Sequence, residues 1–233
     1  MLSVEPFRYG DDNLGYVIYG AEQAMAVDGG AWEEILAFLH GSSLSLSYVT
    51  NTHNHFDHTP GNDPLLGRTK ATLLSFEDLP DGREILLDGG KVTILRTPGH
   101  SLDSVCFYTG AALVSGDTLF NGTVGNCFTG DLKAFYRSIK RLMALPPETL
   151  IYAGHDYVRD ALAFAAHLEP DNPAIERYRR AYDSRHVYST LAEEQEVNPY
   201  LRFNEAPIVE LLEKLGLPCA TEWERWHSLM SID

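Results

Sequence analysis

The segment THNHFDH, residues 52–58, places three histidines and an aspartate within six positions, directly after the apolar run LSYVT. Side chains alternate along a strand, so an extended segment would separate His58 from His53, His55 and Asp57. If the chain leaves strand geometry after Asn51, all four converge from a loop at the strand's end. Imidazole and carboxylate are the ligand types of zinc and related divalent ions. A strand end is therefore the candidate site.

Three further strand ends carry matching residues beside glycine. TPGH delivers His100 after VTILR, SGD delivers Asp117 after ALV, and AGH delivers His155 after TLIY. Four protein ligands on one closed ion make a structural site. Seven candidates are too many for that, whereas two ions about 3.5–4 Å apart that share a carboxylate use them all.

The same strands belong to a regular pattern. GYVIYG, AMAVDGG, LSYVTN, ATLLS, VTILRTPG, SVCFYTG, ALVSGD and TLIYAGHD read as about eight short strands bounded by turn residues. Among them, AWEEILAFLHG has helical spacing with Gly41 as its expected C-cap. DLKAFYRSIKRLMALP is opened by Asp131 as N-cap and stopped by Pro146. The alternation predicts an α/β fold of layered sheet and helix. Beyond it, VRDALAFAAHLEP, NPAIERYRRAYDSR, TLAEEQEV and APIVELLEKLG all read helical. The expected division is a metal-binding domain over 1–158 and a C-terminal helical domain over 159–233 that contributes to the substrate pocket.

Composition narrows the function. With 44% hydrophobic residues in 233, the chain can bury a real core. Its net charge of −15 opposes extended contact with a phosphate backbone, so no nucleic-acid partner is expected. Cys106, Cys127 and Cys219 have no paired spacing and fit a reducing compartment, the cytoplasm. The first residues, MLSVEPFRYGDDNLGY, are broken by charges, and neither a signal peptide nor a membrane anchor is expected.

The ordered set THNHFDH, TPGH, SGDTLF and AGHDY resembles the metallo-β-lactamase superfamily, with wording most similar to glyoxalase II, the hydroxyacylglutathione hydrolases. GHDYVRDALAFAAHLEPDNPAI and STLAEEQEVNPYLR extend the resemblance into the helical part, so that it runs from about Asn51 to Arg202. It implies an αββα sandwich, two mixed β-sheets flanked by helices, with the site at one sheet edge. It further implies that His53, His55 and His100 hold one metal, that Asp57, His58 and His155 hold a second, and that Asp117 bridges them. The ions expected are two divalent metals, zinc, with iron or manganese as alternatives. Asp28, in VDGG, either orients a ligand or the loop, or only forms a turn before Gly29 and Gly30.

The reaction this implies is hydrolysis of a small-molecule thioester or ester. A hydroxide bridging two divalent ions persists at neutral pH because the metals lower the pKa of bound water towards about 7. The same ions polarise an acyl carbonyl and stabilise the oxyanion that forms. A thiolate, with a parent pKa near about 8.5, leaves without much protonation, so no separate general acid is required. The catalytic assignment falls on Asp57, His58 and Asp117.

Substrate recognition departs from the family. Where glyoxalase II grips glutathione with a basic residue and an aromatic hydroxyl, the loop NGTVGNCFTGDL has Asn126 and Phe128. Tyr157 matches a retained tyrosine that can donate to substrate. The C-terminal stretch offers only Arg225 in place of a basic cluster, and Arg177, Arg179 and Arg180 read as a solvated helix face. Ser101 and Cys127 lie in no nucleophile motif, and His40, His167, His186 and His227 have no companion ligands. The alternatives are a lactonase or other ester hydrolase, a persulfide dioxygenase on one iron, and a binding module that has lost ligands.

Overall fold

The protein, described over residues 2–232 in a computed structural model, is built on two sheets packed face to face. The first contains β1 (Ser3–Tyr9), β2 (Asn13–Tyr19), β3 (Gln23–Val27), β4 (Ser45–Thr50) and β5 (Thr72–Leu74), in that spatial order. β1, β2 and β3 are antiparallel neighbours, and β4 and β5 continue parallel to β3. The second contains β6 (Glu84–Leu87), β7 (Gly90–Arg96), β8 (Val105–Tyr108), β9 (Ala112–Gly116), β10 (Leu150–Ala153) and the two-residue β11 (Ser189–Thr190). Because β8 is antiparallel to both β7 and β9, and β10 is parallel to β9, the strands β7, β9 and β10 point the same way. Their C-terminal ends share one edge.

The layers follow from side-chain alternation. On β2 the side chains of Tyr16 and Ile18 enter the core between the sheets, where they meet Ile94, Phe107 and Val114 of the second sheet. Val17, between them, points the other way and packs with Ile35 and Leu39 of α1 (Trp32–Gly41) and Leu65 of α2 (Asn62–Arg68). The second sheet is covered similarly. Cys106 and Leu113 pack against Phe135, Ile139 and Leu142 of α3 (Leu132–Met143), and Trp226 of α8 (Glu222–Leu229) closes this core. Strands covered on both faces need apolar residues at every position, which is why NLGYVIY lacks a polar face.

Helices α4 (Val158–Leu168), α5 (Pro173–Ala181), α6 (Leu191–Val197) and α7 (Ala206–Lys214) complete the order. Asp131 caps α3 by accepting the Ala134 N–H at 2.9 Å. Thr190 and Glu193 form a reciprocal capping box on α6. The expected αββα sandwich with C-terminal helices is what the chain adopts, with differences of detail. Gly41 is the last residue of α1, and the left-handed backbone falls at Ser43, φ 56°. β1, β6 and β11 were absent from the pattern of strands. β1 carries Glu5, Pro6 and Arg8 at a sheet edge, which tolerates proline and charge, while Val4 and Phe7 pack against the two neighbouring cores. β6 is the partner of β7 across a tight Asp88-Gly89 turn.

Candidate metal centre

The four residues of THNHFDH lie on an irregular loop after β4, and His100, Asp117 and His155 follow β7, β9 and β10. The two sheets are stitched together at this edge: Leu14 N–H donates to the Gly154 carbonyl and Val105 N–H to the Thr52 carbonyl, both at 2.8 Å. Two glycines make room. A Cβ on Gly154 would meet Asp117 Oδ1 at 2.1 Å, and one on Gly116, whose φ is +51°, would meet Thr52 Oγ1 at 2.4 Å.

All seven side chains converge. His53, His55 and His100 present nitrogens within 4.8 Å of one another, and so do the ligand atoms of Asp57, His58 and His155. Asp117 stands between these trios. Its Oδ2 is 3.5 Å from both His100 Nε2 and His155 Nε2 and 4.0 Å from His53 Nε2, while Oδ1 is 3.4 Å from His58 Nε2.

The histidines are oriented from behind. His100 Nδ1 donates to the Asn126 carbonyl at 3.0 Å and His155 Nδ1 to Asp12 Oδ1 at 2.9 Å. His58 Nδ1 donates to Asp28 Oδ2 at 3.0 Å. Thr52 Oγ1 donates to the same Asp28 oxygen at 2.7 Å and therefore accepts from His53 Nδ1 at 3.1 Å. With Nδ1 as donor, the partners turn each Nε2 inward, where it offers a lone pair once any proton on it has left. His55 faces inward by Nδ1, 2.9 Å from His53 Nε2 and 3.1 Å from His100 Nε2. Converging lone pairs repel one another unless a cation lies among them. His58 Nε2 and Asp117 Oδ1 are buried without a hydrogen-bond partner, which fits the same requirement. The residues present thus fit a metal.

Charges are distributed unequally. Burial pushes His53 down to about 4, helped by the nearby His58, and burial also lowers His100. For His58 burial acts downward too, but the Asp28 and Asp117 carboxylates outweigh it and raise the ring to about 11. Asp117 similarly lifts His155 against the opposing effect of burial. Burial alone would raise Asp117, but His155 and His58 hold it well below the carboxylate range.

Several supporting residues had no signal in the sequence pattern. Asp12 anchors His155, Asn13 Nδ2 donates to Asp57 Oδ2 at 3.1 Å, and the Tyr9 hydroxyl donates to the Asp57 carbonyl at 2.9 Å. All three lie on or beside the β1–β2 turn, and only the fold brings that turn to the site. Asp28 fills both roles considered for it, with φ 52° at the turn and a fully buried carboxylate that binds Thr52 and His58. Tyr157 stacks on His155, ring centroids 5.0 Å apart, and Phe128 stands edge-on to His100 at 5.1 Å. The Asn126 side chain is exposed, and its backbone carbonyl makes the contact to His100. Ser101 donates its hydroxyl to Asp103 at 2.6 Å. His40, His167, His186 and His227 are exposed and lie outside the cluster.

Comparison with known proteins agrees with this arrangement. The metallo-beta-lactamase superfamily model matches residues 9–78 and 74–155, and a hydroxyacylglutathione hydrolase C-terminus model matches 156–227. The chain belongs to the metallo-β-lactamase superfamily. Within it, a hydroxyacylglutathione hydrolase of Chromohalobacter salexigens is 32% identical over 93% of this chain and 92% of its own. One of Photobacterium profundum is 34% identical, with 89% of each chain covered. Among solved structures, TTHA1623 in a di-iron-bound form is 26% identical with a TM-score of 0.63, covering 84% of this chain and 100% of its own. ETHE1 from Myxococcus xanthus, 24% identical, has a TM-score of 0.66 over 98% of this chain and 99% of its own, and carries the fold comparison alone. As a superfamily member of the glyoxalase II kind, the chain is a metal-dependent hydrolase. Among the described residues no helix is long and apolar enough to cross a membrane.

Proposed function

We propose that the protein is a binuclear-metal thioester hydrolase. The observation that carries this reading is the position of Asp117, one carboxylate near histidines of both trios with a buried, unpartnered oxygen. His53, His55 and His100 would hold one ion, Asp57, His58 and His155 the other, and Asp117 both. Two divalent ions supply an activated water at neutral pH and polarise the acyl carbonyl. Hydrolysis breaks the acyl C–S bond and forms a C–O bond to water's oxygen. The products are a carboxylate, a thiol and one released proton.

The chain's own residues do the positioning. Asp28, Asp12, Thr52 and the Asn126 carbonyl fix four imidazoles in one tautomer. Burial, reinforced by the charges of Asp12, Asp117 and Asp57, raises the Tyr157 phenol to about 12. It therefore stays protonated and can donate to substrate. The family resemblance supports the thioester bond as the one cleaved, and the relatives that match most of the chain carry the name hydroxyacylglutathione hydrolase.

The test is metal content measured with hydrolysis of lactoyl thioesters and homoserine lactones, in the native chain and in His58→Ala and Asp117→Asn. Two ions per chain and thioester turnover, both reduced in each variant, are expected. Unchanged metal and rate in both variants would sink the binuclear site. Lactone-only turnover would replace thioester by lactone, and one iron with sulfur-dependent oxygen uptake would make the protein a persulfide dioxygenase.

A further inference from the structure

Large apolar side chains are exposed beside the candidate centre. Phe128 is 68% exposed while its ring lies 5.1 Å from His100 and 5.9 Å from His55. Tyr157, 37% exposed, stacks on His155 and meets Phe120 edge-on at 5.1 Å. Phe56, between His55 and Asp57, is 90% exposed, and Leu102, two residues past His100, is 78% exposed. Single exposed apolar residues are ordinary. Here, however, three of the eight large hydrophobics exposed among the described residues are one or two positions from a histidine of one cluster, and a fourth, Phe128, sets its ring against two of those histidines. Such concentration marks a ligand surface.

Both signs of charge stand beside it: Arg8 and Arg159 share with Asp12 and Tyr157 one cleft, in which Arg159 lies over the Tyr182 ring. Asp57 and Asp12 retain side-chain exposures of 28% and 41%. Among the described residues, no Lys or Arg is hydrogen-bonded or ion-paired to any of the seven side chains. Arg8 is committed to Asp156 and the Ser184 carbonyl, and Arg225 to Asn204 and the Cys219 carbonyl. An anionic group set against the Phe128 ring would meet an apolar face that cannot hydrogen-bond it, which is unfavourable when the surroundings are partly desolvated.

Resting on the thioester-hydrolase reading, we propose that the centre selects thioesters whose leaving thiol is uncharged and apolar, seated between Phe128 and Tyr157, and discriminates against anionic carriers such as glutathione. Phe128 is the specificity-determining residue in this assignment. It offers an apolar face beside the imidazoles of His55 and His100 and has no group that could bind a carboxylate.

The experiment compares lactoyl thioesters of benzyl mercaptan, N-acetylcysteamine and glutathione on the metal-loaded protein. The benzyl ester should exceed the glutathione ester in kcat/KM by about tenfold or more, with N-acetylcysteamine between them, and Phe128→Ala should bring the benzyl ester down to the N-acetylcysteamine level. Equilibrium binding of the three matching thioethers, which cannot be hydrolysed, should follow the same order and shows it whether or not turnover occurs. Glutathione ranking first, or a benzyl preference that survives Phe128→Ala, overturns the inference while leaving thioester hydrolysis standing. Ordered binding with no thioester turnover overturns the hydrolase reading instead.

Discussion

Asp28 and His58 are joined by a fully buried hydrogen bond, 3.0 Å from Nδ1 to Oδ2, across thirty residues of sequence. The same carboxylate holds the backbone and hydroxyl of Thr52, and through that hydroxyl His53. One side chain thus sets two neighbouring imidazoles, one from each trio. Replacing Asp28 by Asn keeps the shape and the tolerance for positive φ, but removes the charge and one acceptor. The expected result is a loss of about 10–100-fold in metal affinity or activity, read by metal retention against a graded chelator series.

Gly154 tests the packing side of the same site. Its missing Cβ is the space taken by Asp117 Oδ1, 2.1 Å from where that carbon would be. In Gly154→Ala the carboxylate or the strand end must shift, at a cost of about 1–3 kcal/mol. The midpoint of thermal unfolding should fall by several degrees, roughly 2–4 °C per kcal/mol for a chain of this size. Metal content should fall much further than stability does, and a variant that loads metal normally would contradict the placement of Asp117.

The unequal histidine charges predict different pH slopes for the two trios. In the metal-free chain burial keeps His53, at about 4, and His100 neutral near pH 7, so an ion entering beside them displaces few protons. Asp28 and Asp117 hold His58 near 11, and Asp117 raises His155, so an ion entering there must expel protons. The affinity of the second trio therefore rises with pH, about tenfold per pH unit for each proton released, while His53 adds no such slope to the first between pH 6 and 8. Calorimetry in buffers of different ionisation enthalpy counts those protons directly.

Much of this centre is legible in the sequence because its ligands are chemically distinctive, all lie just past strand ends, and His100, Asp117 and His155 each directly follow a glycine. The layers are legible too, since strands buried on both faces, such as NLGYVIY, have no other reading. The supports are not. Asp12, Asn13 and Tyr9 sit on an ordinary turn between two strands, and only pairing of the sheets brings them within reach of Asp57 and His155. β1 escapes notice for a related reason, because an edge strand can carry Pro and charges without penalty. The open side of the site is half legible: Asn126 and Phe128 are visible as departures, whereas the grouping of Phe56, Leu102 and Tyr157 with them depends on the loops' arrangement.

Glu194 links the helical part to the loop that follows Asp117. Its fully buried carboxylate accepts from Gly122 N–H, Ser189, Tyr178 and Asn198 at 2.7–3.2 Å, and Asn198 in turn donates to the Thr123 carbonyl at 2.9 Å. In Glu194→Ala those donors lose their acceptor, with an expected cost of about 3–5 kcal/mol. Urea unfolding measures that cost, and Glu194→Gln, which keeps one acceptor oxygen, should lose less.

The trios also differ in when they can be completed. His53, His55 and His100 have all been synthesised well before His155 is added, and at 5–20 residues per second that gap of about fifty-five residues lasts roughly 3–10 s. During it the nascent chain already contains every histidine of one trio, while Asp57 and His58 lack their partner. Ribosome-paced synthesis therefore gives the two halves of the centre a sequence in time.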